Sequence, residues 1–136
     1  DGSFGGNGVL LYNGVENGDE WGNAVAIQPD GKIVVVGHGW NGSNNVDILV
    51  LRCNSDGTFD ITFGSSGTVT YSSSSYWDHY DYGYAVAIQP DGKIIIVGNN
   101  IDILNYNFSN VLILRYNSDG SLDNTFGING IVTTRG

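Results

Sequence analysis

Short apolar runs dominated by Val, Ile and Leu alternate with stretches of Gly, Asn, Asp, Ser and Pro along the whole chain. None shows an apolar stripe of period 3.6 long enough for a helix, whereas β-branched runs bounded by turn formers are the signature of strands. The pattern predicts strands at 8–12, 24–28, 32–37 and 48–53, and the same set again at 67–71, 85–89, 93–98 and 111–116, with one more at 130–134. Pro29-Asp30-Gly31 and Pro90-Asp91-Gly92 read as tight hairpin turns, since proline presets one turn dihedral and glycine supplies the positive one. Asn54-Ser55-Asp56-Gly57 and Asn117-Ser118-Asp119-Gly120 read as reversals of the same kind. Longer, variable loops are expected at 13–23, 38–47, 72–84 and 99–110.

Behind these elements lies a repeat. Ala24-Val25-Ala26-Ile27-Gln28-Pro29-Asp30-Gly31-Lys32-Ile33 recurs letter for letter at 85–94. Leu51-Arg52-Cys53-Asn54-Ser55-Asp56-Gly57 recurs at 114–120 with Tyr116 in place of Cys53. Phe-Gly-x-x-Gly occurs from Phe4, Phe63 and Phe126, each three residues after an Asp (Asp1, Asp60, Asp123). The expected organisation is a first blade-like repeat at 1–59, a second at 60–122, and the opening of a third at 123–136, a single strand that either folds back or is shared with a neighbouring subunit.

A sheet with one wet face alternates apolar and polar side chains. Ile33-Val34-Val35-Val36, Ile94-Ile95-Ile96-Val97, Ile48-Leu49-Val50-Leu51 and Val111-Leu112-Ile113-Leu114 do not, so each sheet needs cover on both faces. Four-stranded sheets stacked around an axis, as in a β-propeller, meet that demand. Two sheets alone leave two faces wet, and at ~25 cal/mol per Å2 a few hundred Å2 left exposed forgoes several kcal/mol. The expected fold is therefore all-β: two four-stranded antiparallel propeller-like blades plus an extra C-terminal strand, completed by further copies.

The two long repeated strings, with Ser121-Leu122-Asp123 and Thr125-Phe126-Gly127 that follow, resemble the delta-60 repeat, a bacterial β-propeller-type family. The resemblance spans nearly the whole chain. It implies secretion and a propeller-like architecture in large surface proteins, and it brings no catalytic residue set. The chain departs from it in having two copies where a propeller needs at least four blades.

Composition narrows the function. The chain has 136 residues with a formal net charge of -9, from 14 acidic and 5 basic side chains. So acidic a chain lacks the basic stripe that nucleic-acid phosphates require, and no run approaches the ~18 apolar residues of a membrane span. Charged residues make up 14%, against about 25% in ordinary soluble domains. With 21 glycines and many tyrosines, this fits an extracellular or cell-surface protein. The chain starts at Asp1, with no methionine and no signal peptide ahead of it, which reads as a processed terminus or the edge of a longer protein.

Candidate chemistry is sparse. Ile131, Val132, Thr133 and Thr134 form a strand with no repeat of its own. They either fold back on the first blade or complete a sheet in the next copy, giving a ring where the contact closes and a filament where it does not. Asn41-Gly42-Ser43 and Asn107-Phe108-Ser109 are glycosylation sequons, with Asn41 and Asn107 as acceptors. Tyr76, Trp77, Tyr80, Tyr82 and Tyr84 make an aromatic-rich loop suited to an interface or a sugar platform, with Trp21 and Trp40 too sparse to add to it. His38 and His79 stand at non-equivalent positions and match no metal-ligand spacing. Neither catalytic residues, nor a metal, nor a cofactor is expected. Cys53 reads as a buried apolar residue. Arg52 and Arg115 are expected to bond loop carbonyls or Asp60 and Asp123. The function that emerges is a non-enzymatic extracellular subunit whose partners are copies of itself, assembling into a fibre or ring, with or without glycans. The alternative is a carbohydrate- or protein-binding propeller fragment of a larger secreted surface protein.

Overall fold

The described residues form eight strands: β1 (Glu20–Ile27), β2 (Ile33–Trp40), β3 (Val46–Cys53), β4 (Thr68–Tyr71), β5 (His79–Ile88), β6 (Ile94–Asp102), β7 (Phe108–Tyr116) and β8 (Ile131–Thr134), preceded by a 3₁₀ turn at Phe4–Gly6. The computed structural model describes residues 1–14, 18–42, 45–73, 79–102 and 108–134. β1 to β4 form one antiparallel four-stranded sheet and β5 to β8 a second, linked by a single parallel pairing of Val46 with Tyr80. The all-β, two-blade expectation is met.

The hairpins form as the turn chemistry dictates. Gly31 and Gly92 adopt φ of 86° and 84°. Their N–H groups donate to Gln28 O and Gln89 O, both at 2.9 Å. The strands leading into these turns run further back than expected. β1 begins at Glu20 and β5 at His79, because a β-bulge between Gly22 and Ala24, and again between Gly83 and Ala85, lets each edge strand extend along its partner. Tyr80, Tyr82 and Tyr84 therefore lie on a strand, not in a loop.

Two expectations about the first strand of each repeat are corrected. Residues 8–12 enter no strand. Ile131, Val132, Thr133 and Thr134, expected to close the first blade or to be donated to another copy, pair instead with β7 of their own chain, Ile131 opposite Leu114 and Thr134 opposite Val111. β4 does the same on β3. The sheet is thus one strand out of phase with the repeat: it takes the last three strands of one repeat and the first of the next. Locality is the reason. The Phe-Gly turn, closed by Gly67 N–H to Phe63 O and by Gly130 N–H to Phe126 O, each at 2.8 Å, reverses the chain over a few residues. A short closure costs less entropy than any distant pairing.

The core lies between the sheets. Val34, Val36, Ile48 and Val50 of the first meet Ile94, Ile96, Leu112 and Leu114 of the second, with Phe63 between them, all fully buried. The close approach runs over Gly83, where a Cβ would lie 2.7 Å from Val36 Cγ2 and 2.8 Å from Gly37 O. The equivalent Gly22 faces open space on the first sheet, its nearest neighbour Val35 Cγ1 at 3.5 Å. Gly83→Ala is accordingly expected to destabilise the fold by about 1–3 kcal/mol through overpacking, whereas Gly22→Ala should leave it near wild type. Urea midpoints of the two variants measure the difference.

Candidate functional site

The joint between the sheets is built from the repeated residues. Asp60 opens the turn that returns the chain to β4. Its Oδ1 accepts from Thr62 N–H at 3.1 Å and Thr62 Oγ1–H at 2.6 Å. Its Oδ2 accepts from Lys32 Nζ at 2.8 Å, Arg52 Nε at 2.8 Å and Arg52 Nη2 at 2.7 Å. Burial pushes this carboxyl up, but the bonds from Lys32 and Thr62 and the Arg52 charge outweigh it and hold it well below the usual carboxylate range. The Arg52 guanidinium lies over the Phe63 ring, 4.4 Å from its centroid. It also reaches across the joint to donate to Ser118 O. Beside it Gly64 N–H donates to Asp119 O at 2.8 Å. The expectation that Arg52 bonds a loop carbonyl or Asp60 holds, and Arg52 bonds both.

The second sheet carries the same cage. Asp123 is bonded by Lys93 Nζ at 2.9 Å, by Thr125 Oγ1–H at 2.7 Å and by Arg115 Nε at 2.7 Å, with Arg115 over Phe126 at 4.5 Å. These bonds, led by Lys93 and Thr125, hold Asp123 below the usual range as well. Its Arg115 side chain is 20% exposed against 5% for Arg52, which reaches Ser118 O across the joint.

Equivalent positions show the same contrast. Val36 and Ile48, at the joint, are fully buried, whereas their counterparts Val97 and Val111 are 38% and 49% exposed. On the outer face of the first sheet Val25 and Ile27 are 63% and 71% exposed. Their counterparts Val86 and Ile88 pack against the core. The chain thus presents two apolar outer faces, equivalent in sequence to the two halves of its own internal joint and more open than they are, although Leu49 on the first is buried like its counterpart Leu112.

A second cluster gathers at the sheet ends away from the hairpin turns. Trp21 stacks on His38 with centroids 5.1 Å apart, His38 meets Tyr82 edge-on at 4.7 Å, and Trp40 meets Tyr80 at 6.1 Å. Tyr82 stacks on Tyr84 at 6.2 Å. Asn23 Nδ2 lies 3.1 Å from His38 Nδ1 and donates to Gly83 O at 2.6 Å. Three of the expected aromatics, Tyr80, Tyr82 and Tyr84, are therefore brought together, while Tyr76 and Trp77 lie outside the described residues. Trp21, Trp40 and His38 join them, which the spacing along the chain does not reveal. The signal that finds them is register, since Trp21 pairs directly with His38 once β1 and β2 are aligned.

Asn41 lies at the end of β2, its Nδ2 donating to Asp47 Oδ2 at 3.0 Å, and Asn107 lies outside the described residues. Among the described residues no three His, Cys, Asp or Glu side chains gather as a metal ion requires. No helix there is long and apolar enough to cross a membrane. Cys53 is buried.

Asp81 is fully buried behind the aromatic row. Its Oδ2 accepts from Ser73 N–H at 2.6 Å, and its Oδ1 has no partner among the described residues. Burial raises its pKa to about 6, with Asp47 adding to the rise and Ser73 and His79 opposing it.

A family model described as "Domain of unknown function (DUF5122) beta-propeller" matches residues 28–63 and 89–126, more than half of the chain. Comparison with curated proteins and with solved structures gives no match.

The raised Asp81 pKa fixes a sign. A carboxyl that holds its proton more tightly folded than unfolded favours the fold below its unfolded value near pH 4, and that contribution is lost as pH rises through about 6. Asp81→Asn removes the buried charge. It is expected to stabilise the protein at pH 7–8 by roughly 2–3 kcal/mol and to change little near pH 4. Urea unfolding of both proteins across that range checks the crossover.

Proposed function

The chain belongs to the DUF5122 beta-propeller family, and on that premise we propose that it is a non-enzymatic structural subunit, extracellular or at the cell surface, that stacks with copies of itself into a ring or fibre. One observation carries this reading: residues identical or equivalent in the repeat are buried where a neighbouring blade stands and open where none does. The outer face of blade 1 offers Val25 and Ile27, and the outer face of blade 2 offers Val97, Val111 and Arg115. Face meets counterface only head to tail, a heterologous contact that closes into a ring or runs on as a filament. The delta-60 resemblance supports the same reading and adds secretion to it. Glycans on Asn41 and Asn107 belong to it too, with Asn41 first releasing Asp47.

A second reading, binding of a carbohydrate or protein ligand, is favoured by the aromatic row from Trp21 through His38 and Tyr82 to Tyr84. Trp21 and Tyr84 at the ends of the row are exposed and offer ring surface to the apolar face of a sugar. In that case Tyr82→Ala abolishes retention on a glycan array. Unchanged retention, or none by wild type, removes the reading.

For assembly, sedimentation velocity over a concentration series is the test. Association should strengthen as salt is raised toward 0.15 M, because each copy carries a charge of -9 and a Debye length of about 8 Å screens the repulsion. Val111→Asp should abolish it at unchanged monomer stability, since the position is half open to solvent in the lone chain. A wild type that stays monomeric at all concentrations refutes the reading.

A further inference from the structure

Away from the hairpin turns, the joint between the sheets ends on the first residues of β5. This stretch is tied to the first sheet through one strand pairing, Val46 with Tyr80, and through the bond from Asn23 Nδ2 to Gly83 O at 2.6 Å. Side chains alternate along a strand. Tyr80 and Tyr82 enter the aromatic row, and Asp81 between them turns the other way and is fully buried. Its register partner on β6 is Asn100. Residues directly opposite in an antiparallel pair share a face, with Cβ atoms about 5 Å apart. Asp81 Oδ1 and Asn100 Oδ1 are both buried, and neither has a hydrogen-bond partner among the described residues.

Two buried acceptors side by side each carry the full cost of desolvation. An ionised Asp81 has no hydrogen to give, whereas a protonated one carries an O–H, and that single proton satisfies both atoms. A cation does not take its place among the described residues. Lys32, Arg52, Lys93 and Arg115 are engaged at Asp60 and Asp123, and no three acidic or His side chains gather around a metal position. The other groups that face Asp81 are Ser73, Asp47 of β3, Tyr71 of β4 and His79 of its own strand. Tyr71 is itself held neutral, its pKa pushed up to about 12 by burial and by the Asp81 charge.

We propose that Asp81 and Asn100 form a proton-operated latch on the aromatic row: a proton on Asp81, donated to Asn100 Oδ1, holds residues 79–83 against the first sheet, and its loss to solvent releases them. Once the proton leaves, the Asp81 carboxylate faces Asn100 Oδ1 and the Asp47 charge in a buried site, and lifting the stretch into water relieves it. Tyr80 and Tyr82 flank Asp81, so their ring contacts with Trp40 and His38 part with it. Burial raises the Asp81 pKa to about 6, so the row is assembled below that pH and loosened above it. The latch works inside one chain and needs neither self-association nor a bound ligand.

The test is NMR and hydrogen exchange on the full chain. The Asp81 carboxyl carbon and the Asn100 side-chain amide should titrate together near pH 6. After correction for intrinsic rates, the amides of residues 79–83 should be about tenfold less protected at pH 7.5 than at pH 5, the factor given by a pKa that falls from about 6 closed to about 4 open. Ring contacts between His38 and Tyr82 should weaken over the same range. Asp81→Asn keeps a donor for Asn100 and should abolish these changes with both histidines in place, and His79→Gln should keep them. The wild-type readouts need no variant, so they stand even where a substitution disturbs folding. An Asp81 midpoint near 4, as when Asn100 turns its Nδ2 to an ionised carboxylate, overturns the latch. Equal loss of protection at Val50 and Ile96 makes the opening global and overturns it as well. So does a rise in melting temperature with added Ca2+ that Asp81→Asn removes, which puts a cation in the site.

Discussion

A four-stranded sheet with Val, Ile and Leu on both faces has no stable existence as a single layer. Everything else in this chain follows from that constraint. One joint between two such sheets buries Val36 and Ile48 completely and leaves Val97 and Val111 open. The same side chains in the same repeat thus meet opposite fates, decided only by whether a neighbour is present. Hydrophobic burial is non-directional, so it explains why a neighbour is needed but not which one. Direction comes from the polar devices at the rim: Arg52 reaching Ser118 O and Gly64 N–H reaching Asp119 O fix the order in which blades stack.

The cage around Asp60 shows why those devices recur. One carboxylate receives Lys32, Arg52 and Thr62, which pins the turn that returns β4, and its Arg is then free on one edge to cross the joint. A buried carboxylate without such partners would cost more than it contributes. The repeat therefore keeps Asp, Lys and Arg together, and four of the five cations of the chain serve in the two cages. Asp81 is the contrasting case: fully buried, bonded through one oxygen only among the described residues, and shifted toward its neutral form. It marks the end of the joint where polar satisfaction is incomplete.

Much of this was legible beforehand. The strands, the Pro-Asp-Gly hairpins, the two-faced apolar patterning and the pairing of Arg with Asp all follow from local rules, because turn chemistry and side-chain alternation act over a few residues. The aromatic cluster was legible in part. Tyr80, Tyr82 and Tyr84 stand at alternating positions of one segment, whereas Trp21, Trp40 and His38 come to them only through cross-strand register and the packing of one sheet on the other.

The sequence by itself determined that this protein is built of repeated β-sheets, that each sheet must be covered on both faces, and which charged residues clamp the turns. Only the tertiary structure decided how strands are shared between repeats. It placed Ile131–Thr134 on β7 and left residues 8–12 unpaired, although both segments read alike as first strands. Propensity cannot separate them, because pairing is a matter of neighbours: residues 131–134 fold back over a short turn on β7, whereas residues 8–12 pair with no strand among the described residues.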